Sequence, residues 1–147
     1  MDSNDHIVVK YKTGQFFEGI HKGSEKSAAI DLKAGVLNHI KPGDTFLFPT
    51  GLYVEIPEGH VGLIVARSGL GTKGLVLSNQ VGVIDSDYRG EVKVGLYNRS
   101  GKVAYIDRGE RIAQMMIVKL PTVQYQEVEE LSETERGEGG FGSTGVK

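Results

Sequence analysis

The sequence predicts an all-β domain, jelly-roll-like or barrel-like. Three observations carry that expectation. Apolar residues recur with the two-residue period of strands, in runs of four to eight. Turn formers separate the runs at short intervals. Glycine is unusually frequent, 21 of 147 residues beside only four prolines, as expected for many tight turns or for backbone that approaches a ligand closely.

The predicted strands follow in chain order. Ile7-Val8-Val9 is a short β-branched run. Thr45-Phe46-Leu47-Phe48 leads into Leu52-Tyr53-Val54-Glu55-Ile56, which alternates apolar and polar residues. Val61 to Val65 follows the turn Pro57-Glu58-Gly59. Glu91 to Tyr97, Val103 to Ile106, Ile112 to Val118 and Val123 to Val128 complete the set. Lys41-Pro42-Gly43-Asp44, Asn98-Arg99-Ser100-Gly101 and Asp107-Arg108-Gly109-Glu110 are the turns between them. No long stretch keeps helical spacing, and a short helix is expected only near Leu70–Lys73. The strand signal stops near Val128. Residues 1–128 are therefore read as one β domain, and residues 129–147 as an acidic linker followed by a Gly-rich, mobile arm.

Composition narrows the function classes. The formal net charge of −2 advertises no general affinity for nucleic acid, so a bound phosphate would have to rely on a few placed cations. Cysteine is absent, which removes disulfides and thiolate chemistry and fits a reducing compartment. Residues 1–10 lack the features of a signal peptide, and no apolar run reaches membrane-spanning length. His6, His21, His39 and His60 fall in no metal-ligand pattern and are read as surface residues.

Four segments carry possible chemistry. The arm holds Arg136, a planar cation suited to phosphate, together with Phe141, Ser143 and Thr144 among glycines whose amides are free for anionic oxygens. Arg67-Ser68-Gly69-Leu70-Gly71-Thr72-Lys73-Gly74 follows an apolar strand with basic, hydroxyl and glycine residues, although it is not a P-loop. Asn79 to Gly90 places Asp85, Asp87 and Tyr88 in a hairpin turn. It reads either as a presented base or as a plain turn. Gly109 to Met115 sets Gln114 in an apolar strand, with an expected Arg111–Glu110 surface pair and with Met115-Met116 as core filler.

Taken in chain order, and together with a further segment, Ser27-Ala28-Ala29-Ile30-Asp31-Leu32-Lys33-Ala34, which is similar to the first motif, these segments resemble the five motifs of the trimeric dUTPase family. The second resembles Arg67–Gly74, the third Gly82–Gly90, the fourth Gly109–Gln114 and the fifth Arg136–Gly145. The chain departs from the pattern at Ala29, where the family usually has Gly. It departs again at Ala66, where Pro is common, and after Lys73, where a His is missing and the turn is one residue shorter.

The resemblance implies a jelly-roll-like barrel assembled as a homotrimer, with each active site shared among subunits. It implies hydrolysis of dUTP to dUMP and pyrophosphate with Mg2+, which supplies a dTTP precursor and keeps uracil out of DNA. Asp85 matches the catalytic aspartate. Gly82, Val83 and Ile84 match backbone that holds uracil, Asn79 a position near base and sugar, and Tyr88 the wall against a 2′-OH. Arg67, Ser68, Gly69, Gln114, Arg136, Gly142, Ser143 and Thr144 match phosphate-side positions, and Phe141 the aromatic that covers the base. Asp31 matches a carboxylate that supports metal-bound water, the Mg2+ being held mainly by substrate phosphates. The implied partners are dUTP and two further copies of the chain, with no nucleic acid and no membrane, in a cytoplasmic setting. The alternatives are a dCTP deaminase-like enzyme and a nucleotide-binding regulator of the same fold.

Overall fold

The computed structural model describes residues 6–17 and 19–145. The first five residues of the amino terminus and the Val146-Lys147 end of the arm lie outside them. The described residues form ten strands: β1 (Lys10–Thr13), β2 (Ile30–Lys33), β3 (Asn38–Ile40), β4 (Thr45–Glu55), β5 (His60–Val65), β6 (Leu75–Leu77), β7 (Gly82–Ile84), β8 (Glu91–Asn98), β9 (Ala104–Ile106) and β10 (Arg111–Lys119). One sheet has the order β1-β4-β8-β6, a second β2-β10-β5-β7, and β3 pairs with β9 in a two-stranded ribbon. Every pairing is antiparallel, giving the jelly-roll-like all-β class expected. Among the described residues no helix is long and apolar enough to cross a membrane.

The core lies between the two larger sheets. Phe48, Leu52, Val92, Val94 and Leu96 from β4 and β8 meet Leu32, Ile64, Ile112, Ala113 and Met115 from the other sheet. Burying a Leu, Val or Phe side chain stabilises by roughly 1.5–3 kcal/mol each, so this layer dominates folding. Phe46 packs edge-on against Phe48 with ring centroids 4.6 Å apart. Met115 is core, as expected, whereas Met116 lines the wall of a cavity.

β4 is a single strand where the sequence suggested two, because a bulge absorbs the break between Pro49 and Leu52. Gly51 sits at φ 74°, and a Cβ there would stand 2.6 Å from the Gln15 carbonyl oxygen. Thr50, buried beside it, donates from Oγ1 to the Val92 carbonyl at 2.5 Å and accepts the Leu52 N–H at 3.2 Å, which satisfies the interrupted ladder.

Two strand expectations are corrected. The amino-terminal strand begins at Lys10, after the Ile7-Val8-Val9 run, where pairing with β4 starts. Residues 123–128 form no strand: Tyr125 is 93% exposed and Val123 and Val128 are exposed with it. Alternation alone does not make a strand, because its backbone needs a neighbour to receive its N–H and C=O groups. The last backbone tie in this region is Leu120 N–H to the Gly59 carbonyl, 2.7 Å.

Candidate active site

The first feature is a cavity of about 370 Å³ at one end of the second sheet, lined by Ser27, Asp31, Arg67, Ser68, Arg111 and Gln114 among others. The sheet register explains why these residues meet. Gln114 on β10 pairs with Asp31 on β2 and, on its other side, with Val65 at the end of β5. The chain leaves β5 through Ala66 into Arg67 and Ser68. Gln114 donates from Nε2 to the Ala66 carbonyl at 3.2 Å, which holds the loop entrance against β10.

The loop after β5 is built around Leu70, whose side chain is buried. The Leu70 N–H reaches the Arg67 carbonyl at 3.2 Å, and Thr72 Oγ1 donates to the Gly69 carbonyl at 2.6 Å. A short 3-10 turn, Gly71–Lys73, closes at Gly74 with φ 73°, where a Cβ would collide with the Ser100 side chain. Lys73 pairs with Glu110. The expected Arg111–Glu110 pair is therefore not the one formed, since Glu110 takes Lys73 and Arg111 turns to Asp31.

Asp31 is the hub of this cavity. Its side chain is 12% exposed, and two guanidinium groups and an imidazole surround it: Arg67 Nε at 3.5 Å from Oδ1, Arg111 Nη1 at 3.7 Å from Oδ2, and His21 Nε2 at 3.6 Å from Oδ2. Arg67 also donates from Nη1 to the Arg111 carbonyl at 3.3 Å. Two guanidinium groups against one carboxylate leave a surplus of positive charge around a concave, partly desolvated space, which is what an anionic ligand requires.

The second feature is the hairpin joining β7 to β8. Gly82–Ile84 pairs with β5, Ile84 opposite Gly62 and Gly82 opposite Ile64. The hairpin turn closes through Tyr88 N–H to the Asp85 carbonyl at 3.1 Å. Arg89 braces it, donating from Nη1 to the Ser86 carbonyl at 2.6 Å and pairing with Glu55 at 3.5 Å. Asp85 and Val83 point outward and are exposed. The Tyr88 hydroxyl donates to the Glu91 carbonyl at 2.8 Å, and its ring covers Gly90 so closely that a Cβ there would lie 2.5 Å from the hydroxyl oxygen. Asn79 stands at the other end of β7, beside Gly82.

The structure thus brings Asp31, Arg67, Ser68 and Gln114 together in one cavity, with Gly69 on the same loop. It groups Gly82, Val83, Ile84, Asp85 and Tyr88 on one hairpin. It does not bring Asp85 to the arginine-lined cavity. By the antiparallel register Asp85 stands level with Val61, near the start of β5, and Arg67 lies past its Val65 end, roughly 20 Å along the strand at about 3.3 Å of rise per residue. The arm stands apart from both. Arg136 donates from Nε to the Gly139 carbonyl at 2.7 Å, the Ser143 N–H goes to the Gly140 carbonyl, and Phe141 is fully exposed with Gly142 at φ 81°. Thr144 is exposed as well.

Sequence reasoning passed over Arg111 and His21. Arg111 reaches the cavity because a bulge between Arg111 and Ala113 shifts the β10 register, a feature with no signal in the residues themselves. His21 is not simply a surface histidine. Its carbonyl accepts the Asp31 N–H at 2.8 Å, which sets the ring beside the carboxylate.

An antiparallel jelly-roll-like fold with an arginine-lined cavity at one strand end and an acidic hairpin at the other places the chain among dUTPase-like β proteins, which its structural likenesses share. The dUTPase of Staphylococcus bacteriophage 80alpha, solved with dUpNHpp, is similar at TM-score 0.86 and 29% identity over 95% of this chain and 99% of that one. A dUTPase from phage phi11 of S. aureus, solved for the coordination of a structural Mg(II) ion, shares the fold at TM-score 0.77 and 23% identity, over 84% of this chain and 98% of its own. The sequence model of dUTPase matches residues 16–145, and the chain belongs to the dUTPase family. It is 46% identical to the deoxyuridine 5'-triphosphate nucleotidohydrolase of Alcanivorax borkumensis over 94% of this chain and 95% of that protein.

Proposed function

We propose that this protein hydrolyses dUTP to dUMP and pyrophosphate. The observation that carries the reading is the Arg67–Arg111–Gln114 cavity around Asp31, in a chain of the dUTPase family. The triphosphate lies against Arg67, Ser68, the Gly69 amide and Gln114. The β7 hairpin holds uracil through backbone groups of Gly82, Val83 and Ile84. Asn79 lies near the base and sugar, and the Tyr88 ring is the wall that rejects a ribose 2′-OH. Asp85 orients a water and takes its proton as the water oxygen bonds to the α-phosphorus. The bond from that phosphorus to the bridging oxygen breaks, and pyrophosphate leaves.

The donor set fits a divalent cation held mainly by substrate. Among the described residues no group of three or more His, Asp or Glu could hold a metal, and Asp31 already faces two arginines, so it would act through a metal-bound water. Mg2+ bound to the phosphate oxygens would neutralise charge on the leaving pyrophosphate.

The distance between Asp85 and the arginine cavity within one chain supports a homotrimer whose sites are shared, with residues 129–147 acting as linker and lid. On closure Phe141 covers the base, while Arg136, Ser143, Thr144 and the Gly142 amide reach the phosphates. We place the enzyme in the cytoplasm with no nucleic-acid or membrane partner.

Hydrolysis of dUTP, dCTP, UTP and dTTP measured side by side tests this reading. dUTP should be strongly preferred, and Asp85→Asn should lower turnover by about 10²–10⁴-fold with binding retained. Release of ammonia from dCTP would overturn it in favour of deamination, and near-normal turnover by Asp85→Asn would overturn the mechanism.

A further inference from the structure

We propose that His21 is a positioning residue of the triphosphate site, a role that rests on the function proposed above. Asp31 is nearly enclosed and presents two carboxylate oxygens to two guanidinium groups and the His21 imidazole. Arg67 lies against Oδ1 through Nε, while its Nη1 is tied to the Arg111 carbonyl. His21 and Arg111 share Oδ2. The three contacts run from 3.5 to 3.7 Å, so each holds the carboxylate loosely and its rotation depends on all of them together. His21 closes the side of Asp31 that the strands leave open. Its backbone is fixed by the Asp31 N–H, and the chain then turns through Gly23 and Ser27 to form that wall of the cavity. Ser24 and Ser27 lock the turn, with Ser24 N–H to Ser27 Oγ at 2.9 Å and Ser27 N–H to the Ser24 carbonyl at 3.1 Å.

Removing the imidazole lets the carboxylate swing toward Arg111, and Oδ1 then no longer sets the direction of the Arg67 guanidinium. Arg67 meets substrate in the ground state as well as in the transition state. The loss is therefore read in binding, as a raised KM with kcat little changed. His21 touches no substrate in this account and acts only through Asp31.

The test compares His21→Leu with His21→Gln, whose side-chain amide nitrogen takes the place of Nε2. dUTP kinetics and calorimetric binding of dUpNHpp and of inorganic pyrophosphate are measured on the full chain. His21→Leu should raise KM and both dissociation constants about two- to fivefold, the range a half-exposed polar contact supports, with kcat within about twofold. His21→Gln should stay near wild type. In an Asp31→Asn background, His21→Leu should add no further loss, because the carboxylate through which it acts is gone. If His21→Leu does not fold, His21→Asn, whose amide stops short of Oδ2, takes its place with the same expectation. Unchanged binding, a kcat loss at constant KM, or a full additive effect on Asp31→Asn overturns the proposal. Pyrophosphate binding separates the two readings. A chain that does not hydrolyse dUTP but still shows the His21–Asp31 coupling would refute the function and leave the positioning role standing.

Discussion

Tyr88 is positioned by packing as much as by its hydroxyl bond. Its ring lies over Gly90, and no side chain fits between them. Gly90→Ala should therefore push the ring off its seat and copy part of the effect of Tyr88→Ala. Both variants should raise the rate on UTP relative to dUTP, Tyr88→Ala the more, even where both rates fall. Relative kcat/KM on the two nucleotides measures this directly. An unchanged ratio in both would move sugar discrimination away from Tyr88, toward Asn79. The cavity cluster teaches the complementary point. Asp31, Arg67 and Gln114 were legible as chemical residue types in motif order. Arg111 was not, since its neighbour Glu110 looked like its partner until Lys73 took that place.

Between elements, Asn98 is the most connected polar group. It is fully buried and donates from Nδ2 to the Ile40 carbonyl at 2.8 Å and to the Lys102 carbonyl at 2.7 Å. It also accepts Ser100 N–H at 2.9 Å and the Ser100 hydroxyl at 2.7 Å. One side chain thus joins β8, β3 and the turn after β8. Asn98→Ala removes the side-chain donor from the Ile40 carbonyl and the acceptor from the Ser100 N–H, while the Ser100 hydroxyl still reaches the Lys102 carbonyl at 2.9 Å; it should cost about 1–3 kcal/mol, read as a lower urea midpoint with an unchanged m-value. The arm behaves oppositely. Its bonds run within itself, and ordering it over a site costs roughly 1–2 kcal/mol of backbone entropy per residue, so only ligand contacts can offset closure. Truncation after Glu135 should leave folding untouched while lowering dUTP turnover strongly. Full activity in the truncated protein would mean that the arm is a plain terminus.

For the whole molecule, the decisive fact is the span along β5 between Asp85 and Arg67. On the function proposed above, a triphosphate at Arg67 would draw its Asp85 from a neighbouring chain, the two being about 20 Å apart within one chain. Sedimentation should give the mass of three chains. An Asp85→Asn chain mixed with an arm-truncated chain, each poorly active alone, should regain part of the activity after subunit exchange. Some mixed sites then combine an intact Asp85 with an intact arm. A single-chain mass, or no recovery after verified exchange, would rule out shared sites.

The all-β class, the strands β5, β8 and β10, the two halves of β4 and the order of the chemical segments were written in the sequence, because period-two burial and turn formers are local properties. The three- and four-residue strands β2, β3 and β6 were not, since segments that short acquire strand character only from the neighbour they pair with. Residues 123–128 show the reverse: their strand-like alternation stays exposed, with no pairing strand among the described residues. Tertiary structure alone decided that Asp31 gathers Arg67, Arg111 and His21, and that Asp85 stands at the far end of the same sheet. Both facts follow from register and from bulges, which depend on how strands align across the sheet and not on which residues stand next to one another along the chain.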